Sequence, residues 1–158
     1  NDLMEQRVRP IAEEMNAKLV MECDVTNDAQ IKSVFDTYKT VYGSCDFMIH
    51  AVAFANREDL DGRFVDTGRE GFRIALEVSA YSLLPLVRHA APLMTDGGSV
   101  VAMTFDASQR VYPGYNVMGT AEAALEHSVQ QLAYEFGEQD VRVTAIFERS
   151  PFDTSKTA

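Results

Sequence analysis

Hydrophobic positions along this chain follow two alternating spacings, one typical of amphipathic helices and one typical of short buried strands. Helical spacing marks residues 3–15, 27–43, 69–94 and 113–136. Short apolar runs mark residues 18–22, 47–51, 99–104 and 141–147. Strands that alternate with helices predict a parallel sheet. We therefore expect an α/β fold of the doubly wound type, with helices on both faces of the sheet and one domain over residues 1–158.

Local signals predict where the helices begin, end and bend. Thr26 or Asn27 can cap the second helix, and Gly43 can end it. Pro85 lies inside the long third helical stretch and predicts a kink there. Pro113 suits the first turn of the last helix, because the first N–H groups of a helix have no partner within it.

Composition excludes several classes of function. The net charge of −10 over 158 residues repels nucleic acid, which proteins grip with clustered lysine and arginine, and it offers no basic segment for anionic lipid. No apolar run approaches the roughly 18 residues needed to cross a membrane. The two cysteines and three histidines lack the spacing of metal ligands, so we expect no metal. A cytoplasmic location is the default expectation.

The most specific motif lies in residues 112–119, which read YPGYNVMG. This run resembles the active-site segment of enoyl-acyl-carrier-protein reductases, a branch of the short-chain dehydrogenase/reductase family. Further matches follow in the family's order and spacing, at residues 22–26, 49–55, 61–64, 79–82 and 141–146. Their shared order supports the resemblance, which no single motif could do alone.

The resemblance implies a Rossmann-like fold and an oxidoreductase of fatty acid synthesis. The family reaction transfers hydride from NADH or NADPH to the β-carbon of an enoyl thioester, which can be carried on acyl carrier protein. Tyr115 would then act at the substrate carbonyl oxygen, and Phe105 would line the nicotinamide and substrate side. The charge of −10 would repel acyl carrier protein, an acidic partner, unless a local basic patch received it.

The resemblance also implies cofactor contacts at the ends of two predicted strands. Asp24, followed by Val25, would accept a hydrogen bond from the adenine amino group, although a turn or capping role fits Asp24 equally well. Ala51, Val52 and Ala53 follow the next strand, where small side chains let the backbone approach the cofactor. Ligands bind at such strand ends in doubly wound sheets.

Glu122 departs from the family pattern. Family members carry a lysine seven positions after the tyrosine, where its ammonium lowers the pKa of the phenol and hydrogen-bonds the nicotinamide ribose. A carboxylate would raise the phenol pKa, although it could still accept from ribose hydroxyls. The altered residues 147–151 also differ from the family's glycine-proline turn.

Three hypotheses therefore remain open at the level of sequence. The first is an enoyl reductase, favoured by Tyr115, its motif and Asp24. The second is a catalytically silent homologue that acts as an oligomerising or regulatory subunit, favoured by Glu122 and residues 147–151. The third is a reductase with a different substrate and a rearranged base.

The family resemblance implies two further expectations. Family members have two strands and a glycine-rich turn before the part matched here, and one strand after it. We therefore expect this sequence to be part of a longer protein, and to lack the first two strands and the last strand of the family fold. In the family, the helices matching residues 69–94 and 113–136 build the subunit interface. A homodimer or homotetramer is the expected assembly.

Overall fold

Three parallel strands and five α-helices make up the fold, which the computed structural model describes over residues 4–148. The strands lie in the order β1-β2-β3. The elements in chain order are α1 (Arg9–Glu14), α2 (Asp28–Tyr42), β1 (Phe47–His50), α3 (Arg69–Leu76), α4 (Leu83–Ala90), β2 (Gly98–Phe105), α5 (Asn116–Phe136) and β3 (Val141–Glu148). The predicted parallel α/β class is confirmed.

The strand register brings two chain segments to one edge of the sheet. Phe47 pairs with Ser99, and Ser99 pairs with Arg142, so the three strands start level with one another. Carboxyl ends of parallel strands share one edge. The residues that follow His50 and those that follow Phe105 therefore lie at this edge, which we call the carboxyl edge.

One face of the sheet carries the core. Val100, Ala102 and Val143 point into it and are at most 4% exposed, and Leu83 of α4 and Leu125 of α5 pack against them. The opposite face carries large apolar side chains that remain 39–65% exposed: Phe47, Ile49, Met103 and Ile146. Within residues 4–148, the helices of the core therefore pack on a single face of the sheet.

The prediction of a strand at residues 18–22 is wrong. This segment is irregular, and the Lys18 backbone N–H donates to the Tyr42 hydroxyl at 3.2 Å. A strand exists through ladder hydrogen bonds to a neighbour, and no strand of the described residues lies alongside this segment.

Two helix predictions need correction in detail. Residues 69–94 do not form one kinked helix, because a π-helical turn, Glu77–Tyr81, separates α3 from α4. Pro85 lies in the first turn of α4, where its missing N–H costs no helical hydrogen bond. The last helix begins at Asn116, three residues after Pro113.

The N-terminal helix is also shorter than predicted. A π-helical turn at Met4–Val8 precedes the six residues of α1. By contrast, the predicted cap of α2 is confirmed, because the Asn27 side chain accepts from the N–H groups of Ala29 and Gln30. Gly43 follows α2 with φ of 81°, which favours glycine.

The last strand runs through Glu148, one residue beyond the prediction. The rest of the altered segment at residues 147–151 lies outside the described residues. Among residues 4–148, no helix combines the length and apolar character needed to span a membrane.

Candidate active site

An aromatic cluster occupies the carboxyl edge, where β2 ends and α5 begins. The Phe105 ring lies 4.9 Å from the Tyr115 ring and 5.3 Å from the Tyr112 ring, centroid to centroid, in tilted contacts. Tilted aromatic pairs at this spacing are favourable. The Tyr112 hydroxyl donates to Asp106 at 2.9 Å. Two residues predicted from the sequence to be catalytic, Tyr115 and Phe105, are therefore in contact.

Close packing fixes the segment that connects β2 to α5. A Cβ atom on Gly119 would lie 2.9 Å from the carbonyl oxygen of Ala107, so only glycine lets the turn after β2 lie against α5. At the start of α5, the Asn116 amide donates to the carbonyl oxygens of Asp61 and Gly62 at 3.0 and 3.3 Å. These contacts hold Tyr115 at the helix entrance.

Glu122 lies two helical turns after Tyr115, on the inner side of α5. Its side chain is buried, with the residue only 4% exposed. The Tyr115 hydroxyl donates to Glu122 Oε1 at 3.3 Å, and the Thr104 hydroxyl lies 3.0 Å from Glu122 Oε2. Glu122, the residue at the position of the family's lysine, thus contacts Tyr115 at this site.

Two further polar residues belong to this cluster and were missed by sequence reasoning. Thr104 is buried at the end of β2, and its hydroxyl also lies 3.1 Å from Glu126 Oε1. Strand alternation after Val100 and Ala102 already directs Thr104 to the core face. Glu126 follows Glu122 by four residues, the spacing that places two side chains on the same helix face.

Burial is the main influence on the Glu122 carboxyl and raises its pKa above the ordinary value. Hydrogen bonds from Thr104, the Phe105 backbone N–H and Tyr115 oppose this shift, while the nearby Glu126 charge adds to it. The net upward shift means that Glu122 keeps a proton to a higher pH than an exposed glutamate does. While it holds this proton, the carboxyl places no charge beside the phenol, whereas the carboxylate considered from the sequence would.

The end of β1 is anchored by a buried histidine. The His50 Nε2 atom lies 2.8 Å from the Ser82 hydroxyl, which itself donates to the Val78 carbonyl oxygen at 2.7 Å. Because that hydroxyl has one hydrogen, Nε2 carries a proton and donates to Ser82. Burial lowers the His50 pKa, which favours the neutral ring. His50 therefore fixes the end of β1 to the start of α4.

The predicted cofactor residues after β1 lie at the carboxyl edge. Ala51 and Ala53 are exposed, and Val52 is half-buried. The next residue, Phe54, donates its N–H to the Ser79 hydroxyl at 2.9 Å and accepts from that hydroxyl at 3.1 Å through its carbonyl oxygen. The segment therefore has a fixed backbone with small exposed side chains.

Asp24 and Val25 lie in the irregular segment before α2. The exposed Asp24 carboxylate accepts from the Thr26 N–H at 2.9 Å and from the Thr26 hydroxyl at 2.7 Å, and these bonds lower its pKa. Val25 is half-buried. Asp24 thus has the turn role weighed from the sequence, and its contact with adenine stays a prediction.

A cleft of about 470 Å³ opens beside Tyr115. Its walls come from the turn after β2, the first two turns of α5 and Phe64, with apolar atoms prevailing. Within the part of the chain that the structure describes, no three side chains of histidine, cysteine, aspartate or glutamate are grouped to hold a metal.

Known proteins share this fold and this sequence. The family model of enoyl-(acyl carrier protein) reductases matches residues 1–158. The chain belongs to this family. The NADH-dependent enoyl-acyl-carrier-protein reductase FabI of Rickettsia felis is 49% identical over 146 residues, which are 92% of this chain and 56% of that protein. The FabI of a Nostoc species is 48% identical over 142 residues, or 90% of this chain and 55% of the relative.

Solved structures of the family agree. The Anaplasma phagocytophilum reductase in complex with NAD is similar with a TM-score of 0.89 and 40% identity, over 93% of this chain and 56% of that one. The Bacillus cereus reductase with NADP+ and an indole naphthyridinone gives a TM-score of 0.89 and 43% identity, over 93% and 58%. The resemblance and the Rossmann-like fold are confirmed. The chain spans little more than half the length of these enoyl reductases.

Proposed function

We propose that the protein containing this chain reduces the double bond of enoyl thioesters with NADH, as an oxidoreductase of fatty acid synthesis. The observation that carries the proposal is the position of Tyr115, which lies against Phe105 at the carboxyl edge of a parallel sheet. Ligands of doubly wound folds bind at that edge. The enoyl reductase family and its NADH-dependent relatives support the same chemistry.

The carboxyl edge fits a nicotinamide cofactor. Exposed Ala51 and Ala53 present backbone and little side chain, so a flat ligand can approach closely. We assign the cofactor to these residues and Val52, with Asp24 and Val25 as the adenine-side candidates. When bound, NADH would supply the hydride. NADPH is the alternative cofactor, and competition between NADH and NADPH for the site would distinguish them.

The other residues of the site would bind the substrate or donate the proton. Tyr115 would donate a proton to the oxygen on which negative charge develops, the role of a general acid. Phe105 would hold the Tyr115 ring in place and border the reacting atoms. The apolar cleft beside Tyr115 would receive the acyl chain.

A direct assay tests this function. The intact protein is mixed with crotonyl-coenzyme A and NADH, and the decrease in NADH absorbance is followed. We expect oxidation of NADH that depends on the enoyl thioester and does not occur with the saturated butyryl thioester. Binding of NADH without turnover on any enoyl thioester would instead favour the silent homologue that acts as an oligomerising or regulatory subunit.

We also propose a homodimer or homotetramer formed through residues 69–94 and 113–136. Small residues on these helices could allow a partner subunit to approach closely, but the alanines at positions 75, 80 and 121 are buried in the protein's own core and do not reach this contact. The outer surface instead offers Phe72, Tyr81 and Ala123, which are exposed. A two-fold contact would bring the same patch of each subunit together.

Sedimentation analysis tests this assembly. We expect at least a dimer for the intact protein and a shift toward monomer for Tyr81→Glu, because a carboxylate would be buried in the interface. Val65→Glu, at a residue that is 72% exposed and outside both ranges, is the control. A monomeric wild type would rule the assembly out.

Three further assignments belong to this proposal. We assign residues 1–158 to a single domain and the protein to the cytoplasm. The enoyl thioester would be presented on acyl carrier protein.

A further inference from the structure

A single hydroxyl group lies between two carboxyl groups behind Tyr115. The Thr104 oxygen is 3.0 Å from Glu122 Oε2 and 3.1 Å from Glu126 Oε1. Both distances are those of hydrogen bonds. A threonine hydroxyl has one hydrogen, and an ionised carboxylate only accepts. The two contacts are therefore two separate, full hydrogen bonds only when one of the two carboxyl groups carries a proton.

The surroundings favour this protonated state. Among residues 4–148, neither Glu122 nor Glu126 has a salt bridge to a lysine, arginine or histidine. The groups that face Glu122 are the Phe105 N–H and the Thr104 hydroxyl from β2, the Tyr115 hydroxyl at the start of α5 and the Glu126 carboxyl on the same helix. Two ionised carboxylates so close would repel each other, and Glu122 is buried.

We propose that Glu122, Glu126 and Thr104 form a proton-sharing unit that returns a proton to Tyr115 after each turnover, with Thr104 as the positioning residue. The proposal rests on the proposed reductase function and assigns a role to the acid at position 122. We call these three residues the carboxyl unit.

The proton movements balance at each step. Tyr115 gives its hydroxyl proton to the reduced substrate and becomes a phenolate. The Glu122 carboxylic acid then turns about its Cγ–Cδ bond and gives its proton to the phenolate oxygen, which lies 3.3 Å from Glu122 Oε1 in the resting structure. Glu122 becomes a carboxylate, and the half-buried Glu126 takes up a proton from the solvent. Glu126 then gives this proton to the Thr104 oxygen while the Thr104 hydroxyl gives its own proton to Glu122, which restores the Glu122 acid and the Glu126 carboxylate.

The direction of this transfer follows from ordinary acidities. A phenol has a reference pKa of about 10 and a glutamic acid one of about 4.3. Even with the upward shift that burial gives to the pKa of Glu122, a carboxylic acid gives its proton readily to a phenolate. The unit thus restores Tyr115 without placing a permanent charge beside it.

The first experiment measures the carboxyl groups without turnover. In the intact protein with 13C-labelled glutamate side chains, and with no cofactor or substrate, NMR follows the carboxyl carbons as pH changes. Glu122→Gln and Glu126→Gln assign the two signals. In wild type we expect both signals to respond over the same pH ranges, as coupled groups do. Thr104→Ser should keep this coupling, and Thr104→Val should separate the two titrations.

Independent titration of the two carboxyl groups in wild type would overturn the carboxyl unit, as would identical curves for wild type and Thr104→Val. This measurement needs no reductase activity. Its result on the carboxyl unit therefore holds even if the protein is not a reductase. In that case only the proposed return of a proton to Tyr115 would be wrong.

The second experiment separates the first turnover from later ones. Glu122→Gln retains the shape of the side chain but has no acidic proton. We expect a burst of about one product per site at near the wild-type rate, followed by steady turnover at least about tenfold slower. Glu138→Gln makes the same chemical change at an exposed position after α5 and should behave like wild type. Equal slowing of both phases, or of neither, would overturn the role of Glu122 in restoring Tyr115.

Discussion

Replacing Tyr115 with phenylalanine is expected to lower kcat for enoyl thioester reduction by about 10²- to 10⁴-fold, the range that a positioned general acid contributes. The substitution removes only the hydroxyl that donates to Glu122 and would reach the substrate oxygen. The ring contact with Phe105 does not involve the hydroxyl and should persist. The fold and the affinity for NADH should therefore change little.

Steady-state kinetics, NADH titration and thermal unfolding check this expectation together. Tyr134→Phe is the matched control, because it makes the same chemical change on the same helix at a side chain that is 89% exposed. A Tyr115→Phe variant that keeps more than a third of wild-type kcat would remove Tyr115 from the proton transfer.

Replacing Glu122 with lysine is expected to raise kcat at neutral pH by about tenfold or more. The change would place an ammonium near the phenol, where a positive charge stabilises developing phenolate. A shift of one pKa unit corresponds to about 1.4 kcal/mol, or tenfold. Glu126 would offset the buried charge of the new lysine. An ammonium also carries transferable protons, so the variant would still have a proton source beside Tyr115.

Two measurements check this prediction. Crotonyl thioester assays give the rate, and ultraviolet titration should show that tyrosinate forms at lower pH in Glu122→Lys than in wild type. Glu138→Lys makes the same charge change at an exposed position after α5 and should leave both unchanged. A slower Glu122→Lys enzyme would mean that this protein works better with an acid at position 122.

The spacing of residues was enough to predict that the residues of the candidate site lie together. Tyr115 and Glu122 are seven residues apart, which a helix converts into two turns on one face. Phe105 closes a strand with a clear apolar pattern. These relations are local in the sequence, and they are present in the structure.

Relations between elements could not be predicted in the same way. The contact of Thr104 with Glu126 joins β2 to α5 across the core, and no local pattern specifies it. The raised pKa of Glu122 comes mainly from burial, which only the tertiary packing decides. Residues 18–22 have the composition of a strand, yet a strand also needs a partner beside it, and the prediction failed for that reason.

The uncovered sheet face has a practical consequence for handling the protein. This face exposes the large apolar side chains of Phe47, Ile49, Met103 and Ile146. In the described sheet, β1 is an edge strand, so the backbone groups along its outer edge have no neighbouring strand. Apolar patches and open strand edges both promote self-association. Residues 4–148 prepared alone would therefore aggregate as concentration rises. Sedimentation of such a fragment would measure this non-native self-association rather than the native subunit contact.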